Sequence, residues 1–335
     1  MVISNKYLIK RKDKDVLNKN TSDKKMKENN FISLVLYFYN IDEEKVMSLP
    51  QKISAGLISN FKNYEIIIVN DGENTKKVDK FVKELNKYTE HNTISIINFS
   101  SYVGIEKAMI AGDDLAIGDY IFEFDMLNAD FSQNMLMEAY RTALKGNDIV
   151  SVLPIKAHNS LSASLFYTLY NRGVNEDQHI DSELYRVVSR RAFNRTKAMA
   201  RSIAYRKACY AACGLKKCTL VDKTAEGYKV FDSKQKFYRI NLGIDSLMIF
   251  TNIIQKFSFF ISLLFLILTV AISVYVVGVF TLSRPVAGWT PIMAYLSLGF
   301  FGVFALLTIV LKYLSVILNM IFKSENHLIE SIKKI

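Results

Sequence analysis

The sequence predicts an α/β domain with a mainly parallel, Rossmann-like sheet, followed by a juxtamembrane helical segment and a two-helix transmembrane hairpin. Three observations predict it. Short apolar, β-prone runs alternate with helix-like stretches through the first two thirds of the chain. Residues 257–283 carry no Asp, Glu, Lys or Arg, and neither do residues 285–311; each run is 27 residues long. A bilayer-spanning helix needs only about 20. Half of the 335 residues are hydrophobic while 22% are charged, so the two kinds of residue are unevenly spread along one chain. With 4 Pro and 14 Gly, collagen-like and Pro-rich classes are excluded.

The elements follow in order. Residues 1–30 form a Lys-rich tail without sustained periodicity, expected to be flexible. Residues 31–232 form the α/β domain. Phe31–Tyr39 reads as the first strand, 43–60 as a helix, and Tyr64–Val69 as the second strand, ending at the turn Asn70-Asp71-Gly72. Lys76–Tyr88 reads as a helix and Thr93–Asn98 as a third strand. Gly104–Ala116 reads as a helix carrying the small residues Ala108, Ala111 and Gly112. Tyr120–Phe124 is a fourth strand ending in Asp125, Ser132–Lys145 a helix, and Asp148–Leu153 a fifth strand. Nearly continuous apolar strands alternating with helices imply a sheet covered on both faces. In such sheets ligands sit beyond the carboxyl ends of the strands, which places Asn40, Asp71, Ser100 and Asp125 at the candidate site.

Residues 233–256 read as an amphipathic juxtamembrane segment, 257–322 as the hairpin and 323–335 as a short tail. Lys234, Lys236, Arg239 and Lys256 precede the first span; Lys312, Lys323, Lys333 and Lys334 follow the charge-free runs; the connecting loop holds Arg284 alone. The positive-inside tendency places the α/β domain and both termini in the cytoplasm, on a multi-pass protein of the cell inner (cytoplasmic) membrane. The net charge of +11 then points to anionic lipid rather than nucleic acid. The 3 Cys form no CxxC pair, and the 4 His show no ligand spacing. Dinucleotide, Walker, serine-hydrolase and zincin motifs are absent from the sequence.

The acidic strand end carries the chemistry. Glu123 and Asp125 lie two apart and share one strand face, and Asp130 follows within the next five residues. A hard cation such as Mg²⁺ or Mn²⁺ takes carboxylate oxygens, and three carboxylates within eight residues, Glu123, Asp125 and Asp130, could hold one.

The order of motifs resembles that of the family 2 glycosyltransferases of GT-A fold, and among them the bacterial polyprenyl-phosphate glycosyltransferases similar to dolichol-phosphate mannose synthase. The matching stretches are YFYN at 37–40, IIIVNDGENT at 66–75, NFSSYVGIEKAMIAGDDLAIGDYIFEFD at 98–125, GNDIVSVLP at 146–154, LYRVVSRRAF at 184–193 and AGWTPIMAYLSLGFFGV at 287–303. Two departures stand out. Leu127 occupies the place of the second aspartate of the family's Asp-x-Asp motif, and Ile41 follows Asn40 where a Glu is usual.

The resemblance implies transfer of a sugar, with inversion and divalent-metal assistance, from a nucleotide-sugar donor to polyprenyl phosphate or another lipid-linked acceptor. It implies nucleotide-sugar contacts at Asn40, Asp71, Gly72, Gly104 and Asp125. It makes Asp125, Arg186 and Glu183 the catalytic candidates, and Arg186, Arg190, Lys223 and Lys229 the acceptor-phosphate candidates. A phosphate acceptor needs cationic clamps, whereas a sugar hydroxyl needs a carboxylate base. Both acceptors stay open at this level, as does a degenerate, non-catalytic membrane scaffold. Membrane lipids are expected partners, and the membrane helices allow a homo-oligomer.

Overall fold

The computed structural model describes residues 27–89, 93–128, 130–157, 160–199, 205–226, 232–251, 289–322 and 329–334, with a discontinuous subset of 253–271. Residues 1–26, Lys229 and most of 257–283 lie outside the described residues, while the end of the expected tail, from Glu28, already belongs to the first strand.

Eight strands form one sheet: β1 (Glu28–Phe38), β2 (Phe61–Asn70), β3 (Ile94–Phe99), β4 (Tyr120–Phe124), β5 (Ile149–Lys156), β6 (Tyr185–Ser189), β7 (Lys217–Glu226) and β8 (Ile329–Lys334). Their order is β7-β5-β6-β4-β1-β2-β3-β8. β3, β2, β1 and β4 run parallel. β6 is antiparallel to both its neighbours, β4 and β5, and β7 is parallel to β5. The carboxyl ends of β1, β2, β3 and β4 therefore open on one edge, where Asn40, Asp71 and Asp125 lie.

β1 is buried on both faces, which its unbroken apolar run requires. Alternate residues separate into two cores. Ile32, Leu34, Leu36 and Phe38 pack with Leu49 and Ile53 of α2 (Leu49–Gly56), Phe81 of α3 (Thr75–Leu85) and Leu136 of α5 (Gln133–Leu144). Val35 and Tyr37 pack on the other side with Ala108 and Met109 of α4 (Ile105–Leu115), Phe193 of α7 (Arg190–Met199) and Tyr210 of α8 (Arg206–Ala212). Each fully buried aliphatic or aromatic side chain contributes about 1.5–3 kcal/mol. Gly112 lets α4 sit against the sheet: a Cβ there would stand 2.5 Å from Val35 Cγ1 and 2.7 Å from Val69 Cγ2.

The structure differs from the sequence expectation in four places. The helix expected over 43–60 is two, α1 (Glu43–Val46) and α2, because Pro50 can occupy only a helix's first turn. Residues 185–189 are a strand between β4 and β5, and 217–226 an edge strand beyond β5. Ile329–Lys334, expected as a plain tail, pairs antiparallel with β3 and extends the sheet.

Three further helices complete the described chain: α6 (Leu161–Gly173), α9 (Ser233–Phe250) and α10 (Trp289–Phe322). α9 opens with a capping box in which Asp232 and Gln235 satisfy each other's backbone N–H. α10 is 34 residues long, about 50 Å at 1.5 Å per residue. Among the described residues no helix is long and apolar enough to cross a membrane. The side chains of 289–322 are described only in part.

Candidate active site

At the carboxyl edge of the sheet lies a cleft with about 460 Å³ of atom-free space, part of it open solvent. Tyr37, Tyr39 and Asn40 from the end of β1 form one wall, with Tyr102 and Ile105 at the start of α4. Asp125 and the three residues after it form the opposite side. Gln235, Tyr238 and Arg239 of α9 complete it.

Asn40 takes a left-handed backbone conformation, φ 49°, which Asn tolerates better than most residues. Its N–H donates to Glu73 Oε2 at 2.8 Å and its carbonyl accepts from Asn128 at 3.0 Å. The turn after β1 is thus tied to the loop after β4. Asp71 is fully buried behind the cleft wall. It accepts from the Val103 N–H at 2.7 Å, the Gly104 N–H at 3.0 Å and the Tyr37 hydroxyl at 2.8 Å. Burial pushes its carboxyl up, against those three donors, which pull it down. Tyr37 borders the cleft, so Asp71 reaches it through that phenol. Gly72 is exposed in the turn after β2, φ 79°. Gly104 is the N-cap of α4, φ 93°, and a Cβ there would stand 2.4 Å from the Tyr238 ring.

Around Asp125 the structure assembles a buried ionic cluster. The Arg186 guanidinium, 2% exposed, donates to Glu123 Oε2 at 2.6 Å, Asp125 Oδ2 at 2.5 Å and Glu183 Oε2 at 2.7 Å. Arg206, equally buried, donates to Asp125 Oδ1 at 2.6 Å, to Glu123, and to Glu106 Oε2 at 3.1 Å, with Asp113 at 3.4 Å. The Tyr210 hydroxyl donates to Glu123 Oε1 at 2.6 Å. Buried charges require such partners. Burial would raise the Asp125 carboxyl, but Arg186 and Arg206 hold it well below the usual carboxylate range. Asp113 is pushed far up by burial and by the Glu123 charge. That favours its neutral form; its Oδ1 is buried without a hydrogen-bond partner.

Several sequence-predicted residues stand elsewhere than expected. Arg186 is not an open phosphate clamp: its fork is spent on three carboxylates inside the sheet. Glu123 is fully buried and faces Arg186, Arg206 and Tyr210 rather than the cleft. Asp130 turns away to pair with Lys52 and is 72% exposed. Arg190 donates to the Gly118 carbonyl just before β4, at the opposite end of that strand from Asp125. Lys223 is exposed on the edge strand β7. Glu183 donates nothing; it accepts from Ser151 and Arg186, and is 8% exposed.

Sequence reasoning missed Arg206 and the α9 residues. One signal for the former was available: Glu123 in an otherwise apolar strand needs a buried cation. The three expected carboxylates do not converge, and among the described residues no three His, Cys, Asp or Glu side chains are grouped to hold an ion. Asp125 alone borders the cleft. One carboxylate suits a Mg²⁺ or Mn²⁺ that takes its other ligands from a substrate diphosphate and water; it does not make a protein cage.

No known family model matches the chain. It is 25% identical over 279 residues to an uncharacterized glycosyltransferase of Synechocystis sp. (strain ATCC 27184 / PCC 6803 / Kazusa), covering 80% of this chain and 85% of the relative. It is 25% identical over 178 residues to the uncharacterized glycosyltransferase YkcC of Bacillus subtilis (strain 168), half of this chain and 52% of that one. Among solved structures it is similar to a mannosyl-3-phosphoglycerate synthase from Rubrobacter xylanophilus (13% identity, 65% of this chain, 74% of that one, TM-score 0.44). It is also similar to a Pyrobaculum calidifontis mannosyltransferase in complex with GDP-Man and Mn²⁺ (12%, 66% and 63%, TM-score 0.45).

Proposed function

We propose that this chain transfers a sugar, with inversion, from a nucleoside diphosphate sugar to a polyprenyl phosphate at the cytoplasmic face of a membrane. The chain is a glycosyltransferase: both curated relatives bear that name, one of them over 80% of this sequence. The observation that carries the reading is the cleft at the carboxyl ends of parallel strands, bordered by Asp125.

Asp125 would hold a Mg²⁺ or Mn²⁺, which supplies neutralisation of the departing diphosphate. Arg186 and Arg206 fix both carboxylate oxygens of Asp125 and keep it ionised at neutral pH. The same electrostatics favour the acceptor. A sugar hydroxyl needs a carboxylate base poised near the working pH. Asp125 is held low, and so is Glu183, where Lys207 and Arg186 overcome burial. Both are weak bases. A lipid phosphate is already an oxyanion and needs none.

The membrane reading rests on the two charge-free runs, and exposed apolar residues support it. On α10, Phe301, Val303 and Val310 are 60–69% exposed. The packed pair α6 and α9 presents Leu161, Leu165, Phe237 and Ile240 to solvent. β8, which follows the proposed hairpin, pairs with β3 of the domain that precedes it. That supports both flanks lying on one side of the bilayer. Self-association through the membrane helices is compatible with this arrangement.

The test is to screen nucleotide sugars with a short polyprenyl phosphate and Mg²⁺ or Mn²⁺, reading products by mass. Glycosylated lipid phosphate is expected from the full chain and not from Asp125→Ala. Absence of turnover and of nucleotide binding with every donor would favour a non-catalytic scaffold instead.

A further inference from the structure

The juxtamembrane helix does more than connect. Gln235, Tyr238 and Arg239 of α9 border the cleft at spacing i, i+3, i+4, one helix face. That face is pinned in place. The Tyr39 hydroxyl donates to Asp232 at 2.9 Å, and the Asn40 amide donates to Gln235 at 3.2 Å. The Tyr238 ring lies over Gly104 so closely that a Cβ there would meet three of its carbons at 2.4–3.0 Å. Tyr102 contacts that ring edge-on, with centroids 6.2 Å apart, and lies tilted by 41° against Tyr39 with centroids 4.6 Å apart. Further along, α9 is tied to α10 by the Asp245–Lys312 pair at 3.1 Å.

Building on the donor-site reading above, we infer that α9 forms a working wall of the donor pocket, with Tyr238 packing on the nucleoside and Arg239 binding the diphosphate. Arg239 is the one cation among the described residues bordering the cleft. A diphosphate entering beside the Asp125 carboxylate needs positive charge, and a guanidinium fork matches phosphate oxygens. The three tyrosines Tyr39, Tyr102 and Tyr238 offer ring faces to a planar base or the apolar face of ribose. The donor pocket is then complete only when the helix next to the membrane is docked, which links donor binding to membrane attachment.

The experiment uses the full chain in detergent and measures calorimetric binding of UDP, GDP, uridine and guanosine, without added metal. For whichever diphosphate the wild type binds, Arg239→Gln is expected to weaken that ligand about ten- to hundred-fold and to leave the matching nucleoside within twofold. Arg239→Lys is expected to recover part of the loss. Tyr238→Ala is expected to weaken nucleoside and diphosphate alike, and Tyr238→Phe to weaken neither. A merely structural Arg239 would lower both ligands together, so an equal loss, or no loss, overturns the inference while the glycosyltransferase reading stands. Wild-type protein that binds neither diphosphate in the absence of metal overturns the inference; the glycosyltransferase reading, which draws on a cation at Asp125, is overturned separately, by absence of turnover and of nucleotide binding with Mg²⁺ or Mn²⁺ present.

Discussion

Replacing Arg206 with Met removes a guanidinium of similar reach from the middle of the buried cluster. Arg206 contacts four carboxylates, Glu106, Asp113, Glu123 and Asp125, and is 1% exposed. Without it, Asp125 keeps only Arg186, Glu123 keeps Arg186 and Tyr210, and Glu106 keeps the backbone N–H of residue 206. Removing one partner of a buried ion pair costs about 3–5 kcal/mol, which for a domain of this size lowers the melting temperature by roughly 6–20 °C. The exposed Lys87–Glu84 pair sets the contrast, since solvent screens such a pair and its loss should leave the unfolding transition nearly unchanged. Thermal and urea unfolding of the full chain in detergent read the difference. Adding Asp113→Asn should cost little, because Asp113 already favours its neutral form. Arg206→Lys should restore only part of the loss, because an ammonium cannot span both β4 carboxylates and Glu106 at once. A loss below about 1 kcal/mol in Arg206→Met would refute the claim that this cation holds the acidic strand end.

Two other outcomes follow from the same geometry. Asp71→Asn turns an NH₂ either toward the Val103 N–H or toward the Gly104 N–H and the Tyr37 hydroxyl, so it should destabilise the protein by about 1–3 kcal/mol in the absence of any nucleotide; unchanged unfolding without ligand would mean Asp71 acts only on substrate. Glu183 is held below the ordinary glutamate value of 4.5, with Lys207 and Arg186 outweighing burial. The unfolded chain therefore takes up this proton first as pH falls, so the contribution is complete above about pH 4.5 and is lost as pH drops through the folded value. Glu183→Gln should flatten the dependence of the urea midpoint on pH in that acid range, and an unchanged slope would contradict the assignment.

The parallel half of the sheet was legible because a strand buried on both faces must be mostly apolar, and FISLVLYFY, YEIIIV and TISIIN are, with Ser33, Glu65 and Ser95 as isolated polar positions. The small residues of α4 announced a close helix–sheet contact, and Gly112 makes it. β6 was less readable. Its second residue is Arg186, and an arginine in a five-residue run reads as surface until its partners are known. β7 mixes Lys, Asp and Thr because an edge strand exposes much of its length. β8 depends on pairing with β3 across more than 200 residues of chain, which no local pattern encodes.

The site was legible in its acids and opaque in its cations. Carboxylates at strand ends are marked by the strand that precedes them, and the period of two puts Glu123 and Asp125 on one face. That same face is why a three-carboxylate cage does not form. A side chain two residues back along β4 points beneath the cleft, toward β6 and α8, where Arg186 and Arg206 meet it. Asp130, beyond the end of the strand, is released from that constraint and swings to Lys52. Arg206 lies 81 residues from Asp125 and 100 from Glu106, and only the packing of α8 against α4 brings them together. Burial forces the rest: each acid drawn under the cleft demanded a cation, and the cations that answered are no longer available to a phosphate. The positive charge that a diphosphate requires must then come from the open side of the cleft, where α9 closes it.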